Sequence, residues 1–213
     1  MPKSTYFIVP SNLTCYQRES LKLVGIGDDR LVSLGSQEIW ELETLYFSPP
    51  TALTGCDSPN ANRWLQHLIL LNSSLTEVKQ TKRIYISRRL TACRRIVNED
   101  EIEQHLQRYG FDTYLLEEMS FCDQVSLFHQ AEIVVSSHGS GLTNLMFSQP
   151  GTQVLEVFEP EILRTCFWSL SESLGQDYWY VLGESRKNFP EPDIYLDSEK
   201  LLQTLTQMLK AKP

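Results

Sequence analysis

Nothing in this sequence is built to cross a bilayer. Its longest apolar runs, LILLN at 68–72 and EIVVSS at 132–137, fall far short of the roughly 20 residues that a spanning helix needs. The first residues, MPKSTYFIVPSN, hold one lysine and then a strand-like YFIV. A secretory leader would show a basic stretch feeding a long apolar core, so a cytoplasmic location is expected. Cysteine is sparse and odd in number: Cys15, Cys56, Cys93, Cys122 and Cys166 form no CxxC pair, and no histidine stands at zinc-like spacing. That excludes a structural zinc site and a disulfide framework, leaving free thiols. Positive charge is also short, with 19 Lys and Arg against 27 Asp and Glu for a net charge of −8, which argues against a nucleic-acid-coating surface. No internal repeat or low-complexity tract is present.

What the sequence has is enough apolar content, 41%, for at least one full core. From residue 83 onward, short runs rich in β-branched and aromatic residues alternate with amphipathic stretches, the pattern of a parallel sheet covered by helices. The strands read from the pattern are RIYIS (83–87), FDTYLL (111–116), EIVVSS (132–137), TQVLEVF (152–158) and DYWYVL (177–182). Helix starts are marked by caps: Asn98 with Glu101 as a capping box before IEQHLQRYG, Ser120 with Asp123, and Asp197 or Ser198 before EKLLQTLTQMLK. Gly110 closes the first of these helices.

Before residue 83 the order is less regular. It reads as a strand YFIVP, a helix around YQRESLKLVG, and two strand candidates, RLVSLG and IWELETLYF. The loop SPPTALTGCDSPN follows, and Asp57 or Ser58 with Pro59 opens a helix through RWLQHLILL. The expected architecture is therefore α/β: a complete Rossmann-like parallel-sheet domain over residues 56–213, preceded by a partial α/β lobe over residues 1–55. About 50 residues are too few for a doubly wound domain, so the first part is expected to be the tail of a larger lobe.

The most informative stretch is EIVVSSHGSGLTNLMF, an apolar strand running into a Gly-x-Gly turn and then an amphipathic helix. In an open parallel sheet, ligands sit beyond the carboxyl ends of the strands, where helix N-termini present free amides. Gly139 and Gly141 let a backbone approach an anion, and Thr143 and Asn144 add side-chain donors. A tight strand-to-helix turn needs such glycines even without a ligand. His138, just before them, is either a functional imidazole or one satisfied by backbone hydrogen bonds. The strand IYIS ends in Ser87 and Arg88 at the same sheet edge, where arginine can grip a diphosphate bidentately. Within SRRLTACRR, Arg89 and Arg94 are expected to pair with the acidic NEDE segment. In LLEEMSF, Glu117 or Glu118 stands at a third strand end, placed to accept from a ribose or a base. A dinucleotide oxidoreductase needs G-x-G-x-x-G after its first strand, and here strand 83–87 is followed by arginines.

The combination of YISRR, RRIVNEDE and LLEEMSFCDQVSLFHQAEIVVSSHGSGLTNLMFSQPGTQVLEVFEP closely resembles glycosyltransferase family 61, over roughly residues 80–183. The family embraces plant xylosyl- and arabinosyltransferases, animal O-linked N-acetylglucosaminyltransferases and bacterial proteins of capsular polysaccharide synthesis. The resemblance implies a GT-B fold, a UDP-sugar donor, inversion at the anomeric carbon, and a glycan or protein hydroxyl as acceptor, with no cofactor. By position, Ser87, Arg88, Arg95, Asn98, Glu118, His138, Gly139, Gly141, Thr143, Asn144 and Glu156 match the family pattern, with Ser140 where the pattern usually has alanine. Catalytic roles are expected for Arg88 and His138. No Asp-x-Asp is present, and Asp28-Asp29 has the wrong spacing, so Arg88 and the helix dipole are expected to neutralise the leaving UDP without a metal. Family members carry a fuller N-terminal lobe facing the acceptor. The alternative to transfer is therefore a truncated, non-catalytic remnant that binds a nucleotide sugar. Peripheral association with a membrane or an assembly complex is compatible with either.

Overall fold

The computed structural model describes residues 5–47, 58–73, 75, 78–161, 163–187 and 191–211. Its centre is a five-stranded sheet in which every pairing is parallel. The strands are β3 (Lys82–Ile86), β4 (Phe111–Tyr114), β5 (Ala131–Ser137), β6 (Gln153–Phe158) and β7 (Asp177–Leu182), in the order β4-β3-β5-β6-β7. Buried on both faces, β5 and β6 read as near-continuous apolar runs rather than alternating ones. The five strands drawn from the sequence all exist, with ends shifted by at most two residues.

Helices cover the sheet on both sides. The helices α2 (Pro59–Asn72), α4 (Phe121–His129) and α5 (Cys166–Leu174) bury Ile69, Val125, Phe128, Phe167 and Leu170 against Ile84, Ile86, Val134 and Val154. On the other face, α3 (Glu99–Arg108) and α6 (Ser198–Lys210) bury Ile102, Leu106, Leu201, Leu205 and Met208 against Tyr85, Ile133, Val135, Leu155 and Val157. Each such apolar side chain contributes about 1.5–3 kcal/mol when fully buried. The cap readings hold for three helices. Ser58 accepts from Ala61 N ahead of Pro59, Ser120 from Asp123 N, and Asp197 from the amides of Glu199 and Lys200. Asn98 does not cap α3: its amide group exchanges two hydrogen bonds with the backbone of Leu196 and donates a third to Glu101. That side chain staples α3 to the chain entering α6 instead.

The strand order has one consequence for function. The chain steps outward from β3 to β4, then returns to the other side of β3 to form β5 and continues outward the opposite way. The reversal leaves a crevice beyond the carboxyl ends of β3 and β5, the place where open α/β sheets take ligands.

Ahead of the sheet lie β1 (Phe7–Pro10), α1 (Cys15–Leu23) and β2 (Leu31–Leu34), with β1 and β2 pairing parallel. This unit is tied to the sheet domain: Glu19 Oε2 accepts from Phe121 N at 2.8 Å, and Asn72 Nδ2 donates to Leu23 O. The strand expected in IWELETLYF does not form. Residues 39–47 run irregularly, pair with no strand among the described residues, and leave Ile39 98% and Phe47 81% exposed. Apolar residues in a strand-like run need a partner edge and a face to bury. Residues 48–57, where the domain boundary and Cys56 were placed, lie outside the described residues. A short antiparallel pair, β8 (Glu184–Arg186) with β9 (Asp193–Tyr195), was not foreseen.

Candidate functional site

The register β3–β5 pairs Ile86 with Ser136, so Arg88 and His138 each stand two residues past a matched pair at one sheet edge. The sequence from Ser140 to Phe147, read as an amphipathic α-helix, is a 3₁₀ helix of eight residues. Its small Gly139 and Gly141 let it lie against β3 and the loop after β4. A Cβ on Gly141 would come within 2.9 Å of Leu116 Cδ1, and one on Gly139 within 2.6 Å of Arg88 Cζ. A side chain at either position would have to displace a neighbouring side chain, at Gly139 the very arginine read as an anion grip.

A cavity of about 660 Å³ opens at this crevice. Its polar lining comes from Ser87, Arg88, Gly139, Ser140, Gly141 and Thr143, together with Asn144 and Gln124. Its apolar walls come from Ile86, Leu116, Phe121 and Phe147 of the sheet domain and from Tyr16, Leu21 and Val24 at α1. The contribution of α1 and α4, notably Phe121 and Gln124, was not legible in the sequence. The packing of α4 on the sheet, with α1 laid against α4, brings those residues to the switch point.

The four arginines of the cluster divide sharply. Arg89 pairs with Glu99 of NEDE at 3.1 Å, as expected, and also with Glu103 beyond that segment at 2.5 Å. Arg94 pairs instead with Glu191 and donates to the carbonyl of His138 at 3.1 Å, a correction to its expected partner. It adopts φ 59°, a left-handed conformation that costs a non-glycine residue roughly 1–2 kcal/mol. Its own carbonyl accepts from Ser137 Oγ at 2.8 Å, so the strained residue is fastened directly to the end of β5. Arg95 forms a bidentate pair with Asp193, at 2.7 Å from Nη2 to Oδ2.

Arg88 alone of the four makes no ion pair among the described residues. Its Nε is buried without a hydrogen-bond partner, and its one weak bond runs from Nη2 to Cys93 O at 3.4 Å. Burial lowers its pKa from the ordinary value and the neighbouring Arg94 pushes the same way, partly offset by Cys93, Glu117 and Glu191. A partly desolvated cation short of negative charge is an electrostatic vacancy for an anion.

The other candidates fall behind or outside the cavity. His138 is buried and does not line it. Its Nδ1 meets Glu156 Oε1 at 2.5 Å, and its ring stacks on Phe158 at 5.3 Å between centroids. Glu156 is fully buried, and its second oxygen accepts from Tyr178 OH at 2.5 Å. The three side chains form a chain from the end of β5 through the middle of β6 to the start of β7, with His138 and Glu156 buried and Tyr178 partly so. Arg95 faces a separate hollow with Asn98, Glu99 and Asp193, its guanidinium already committed. Glu118 lies exposed on a 3₁₀ turn that directs its neighbour Glu117 to the cavity instead. So Ser87, Arg88, Gly139, Gly141, Thr143 and Asn144 come together; His138 and Glu156 support them; Arg95 and Glu118 stand apart.

A sequence-family model described as Glycosyltransferase 61 matches residues 4–155. The chain belongs to glycosyltransferase family 61. The match spans the crevice motifs and extends over the unit ahead of the sheet. Among curated relatives, the EGF domain-specific O-linked N-acetylglucosamine transferase of Rattus norvegicus is 30% identical over 155 residues, covering 69% of this chain and 29% of its own length. The proteins of the same name from Mus musculus and Drosophila melanogaster are 30% and 29% identical, covering 63% of this chain and 27% and 26% of theirs. The chain thus spans less than a third of the length of these family 61 relatives. Among the described residues, no helix is long and apolar enough to cross a membrane, and no group of three or more His, Cys, Asp or Glu is placed to hold a metal ion.

Proposed function

We propose that this chain forms the nucleotide-sugar-binding region of an inverting, metal-independent glycosyltransferase that moves a sugar from a UDP-sugar to a hydroxyl of a glycan or protein, in polysaccharide biosynthesis. The observation that carries the reading is Arg88: a partly buried guanidinium without a carboxylate, seated against Gly139 in the switch-point cavity. The diphosphate sits beside that guanidinium, against the turn of residues 139–141. Transfer builds negative charge on the leaving UDP, and a preorganised cation stabilises it without reorganisation at the moment of reaction. Thr143 and Asn144 meet the nucleoside or sugar. The sheet domain is the donor-side domain of a GT-B enzyme, and the unit with β1, α1 and β2 belongs to the acceptor-side lobe. His138 acts from behind the turn, held by Glu156.

Calorimetry with UDP, with and without EDTA, tests the binding half of this reading; abolition of binding in both conditions sinks it. Release of UDP from UDP-sugars in the presence of a glycan extract tests the transfer half. Binding without transfer is favoured by a different observation, the exposed Ile39, Leu45, Tyr46 and Phe47, an apolar surface of the kind that a further lobe or partner covers. UDP binding with no turnover on any donor would select it.

A further inference from the structure

Gln124 lines the cavity beside Asn144, and its hydrogen bonds leave its amide only one orientation. Its Nε2 donates to the carbonyls of Leu116, at 2.9 Å, and Met119, at 3.3 Å. Carbonyls only accept, so the nitrogen of Gln124 must face them and its Oε1 must face away. That oxygen accepts from Asn144 Nδ2 at 2.9 Å. The orientation of Asn144 is fixed in turn: its nitrogen faces Gln124 and its Oδ1 is left over. No donor among the described residues reaches Asn144 Oδ1, and the oxygen is not sealed from solvent. A backbone loop thus sets the polarity of a cavity side chain through one intermediary.

We propose that Gln124 is a specificity-determining positioning residue, which fixes Asn144 Oδ1 as an acceptor for a hydrogen-bond donor on the nucleoside of the bound nucleotide sugar. The proposal rests on the donor-site reading above and adds a residue and a chemical preference to it. With Gln124 in place, the cavity favours a ligand bearing a hydroxyl or N–H at this point and disfavours one bearing only an acceptor or a methyl group. Freed from Gln124, the Asn144 amide rotates at little cost and presents either end. Two groups of a uridine nucleotide carry the required donor, the ribose hydroxyls and the base N3–H.

The test compares UDP with its 2′-deoxy, 3′-deoxy and N3-methyl analogues by calorimetry on the full chain and on two variants. The wild type should bind one of the three analogues roughly three- to tenfold more weakly than UDP, the loss expected of one hydrogen bond, and the analogue that suffers identifies the group read. Gln124→Met should erase that discrimination. Gln124→Glu cannot donate to Leu116 and Met119 yet still accepts from Asn144, so it should keep the ratio while weakening all four ligands alike. If Gln124 merely held the 115–119 backbone, the two variants would behave the same, and that result would overturn the proposal. Undiminished discrimination in Gln124→Met would also overturn it while leaving the donor site intact. Failure of UDP itself to bind the wild type would remove the donor site and this proposal together.

Discussion

The Arg88 guanidinium occupies the volume that a side chain at Gly139 would need, its Cζ 2.6 Å from where a Cβ would stand. The two residues come from neighbouring parallel strands and meet only because the chain reverses its direction of travel between β3 and β5. Gly139→Ala should therefore act through Arg88. The backbone at Gly139 is extended, with φ 175°, so alanine is conformationally acceptable there and the fold should survive. The displaced guanidinium should lose most of its hold on UDP, a fall of about one to two decades in affinity if one charge-assisted contact is removed. An alanine variant that binds UDP like the wild type would show that Arg88 is not the grip.

Arg88 and Arg89 are neighbours of equal charge with different surroundings, and their alanine variants should separate cleanly. Arg88→Ala should reduce UDP affinity by about 1.5–3 kcal/mol with little change in stability, because Arg88 pairs with no described carboxylate. Arg89→Ala should do the reverse. It strips one partner from Glu99, which is buried and otherwise held by Tyr85 OH at 2.7 Å, a loss of roughly 1–3 kcal/mol in urea unfolding. Equal affinity losses that both vanish at high salt would mean a diffuse positive patch and no specific grip.

These contrasts also show what the sequence could and could not disclose. Strand existence and order along the chain were legible because buried parallel strands are apolar runs bounded by turn residues, as in EIVVSS. Arg88 was legible because it follows such a run directly. The pairing of Arg95 was not legible because its partner, Asp193, lies 98 residues away, and no local pattern announces so distant a pairing. Asn98 looked like a cap for the same reason: its competitor, the backbone of Leu196, is brought by tertiary folding. The α-helix expected after His138 is a 3₁₀ helix, a difference of one residue in the hydrogen-bond step that apolar spacing over eight residues does not resolve. Gln124 was invisible because its importance lies in what its amide touches.

Metal independence has its own measurement. If Arg88 and the turn at Gly139 neutralise the diphosphate, the affinity for UDP should be the same in EDTA and in millimolar Mg²⁺ or Mn²⁺. Affinity should instead fall with salt, since the guanidinium is partly exposed to solvent and screening acts on it. A tenfold or larger loss of UDP affinity on chelation would replace the arginine reading with a metal-bridged one.

The linked side chains Tyr178, Glu156 and His138 carry the last prediction, about stability. Glu156 has no exposed surface and is satisfied by one bond from each partner. Glu156→Leu leaves a buried imidazole and a phenol without their acceptor, and should cost about 3 kcal/mol or more, whereas Glu156→Gln keeps an acceptor for the imidazole and should cost roughly 1–2 kcal/mol. Tyr178 supplies the pH test. Desolvation first, and then the charge of Glu156, push its pKa well above the ordinary 10.0, so the folded protein keeps the phenol protonated. Its contribution is fully present below the unfolded pKa near 10 and is lost as pH rises, because the unfolded chain then ionises and the folded one resists. Tyr178→Phe should accordingly be less stable than the wild type by a constant amount up to about pH 9, and the gap should narrow above about pH 10. Other tyrosines cancel in that difference. A gap that already closes between pH 7 and 8, or that stays flat through pH 11, would show that the phenol is not held by Glu156.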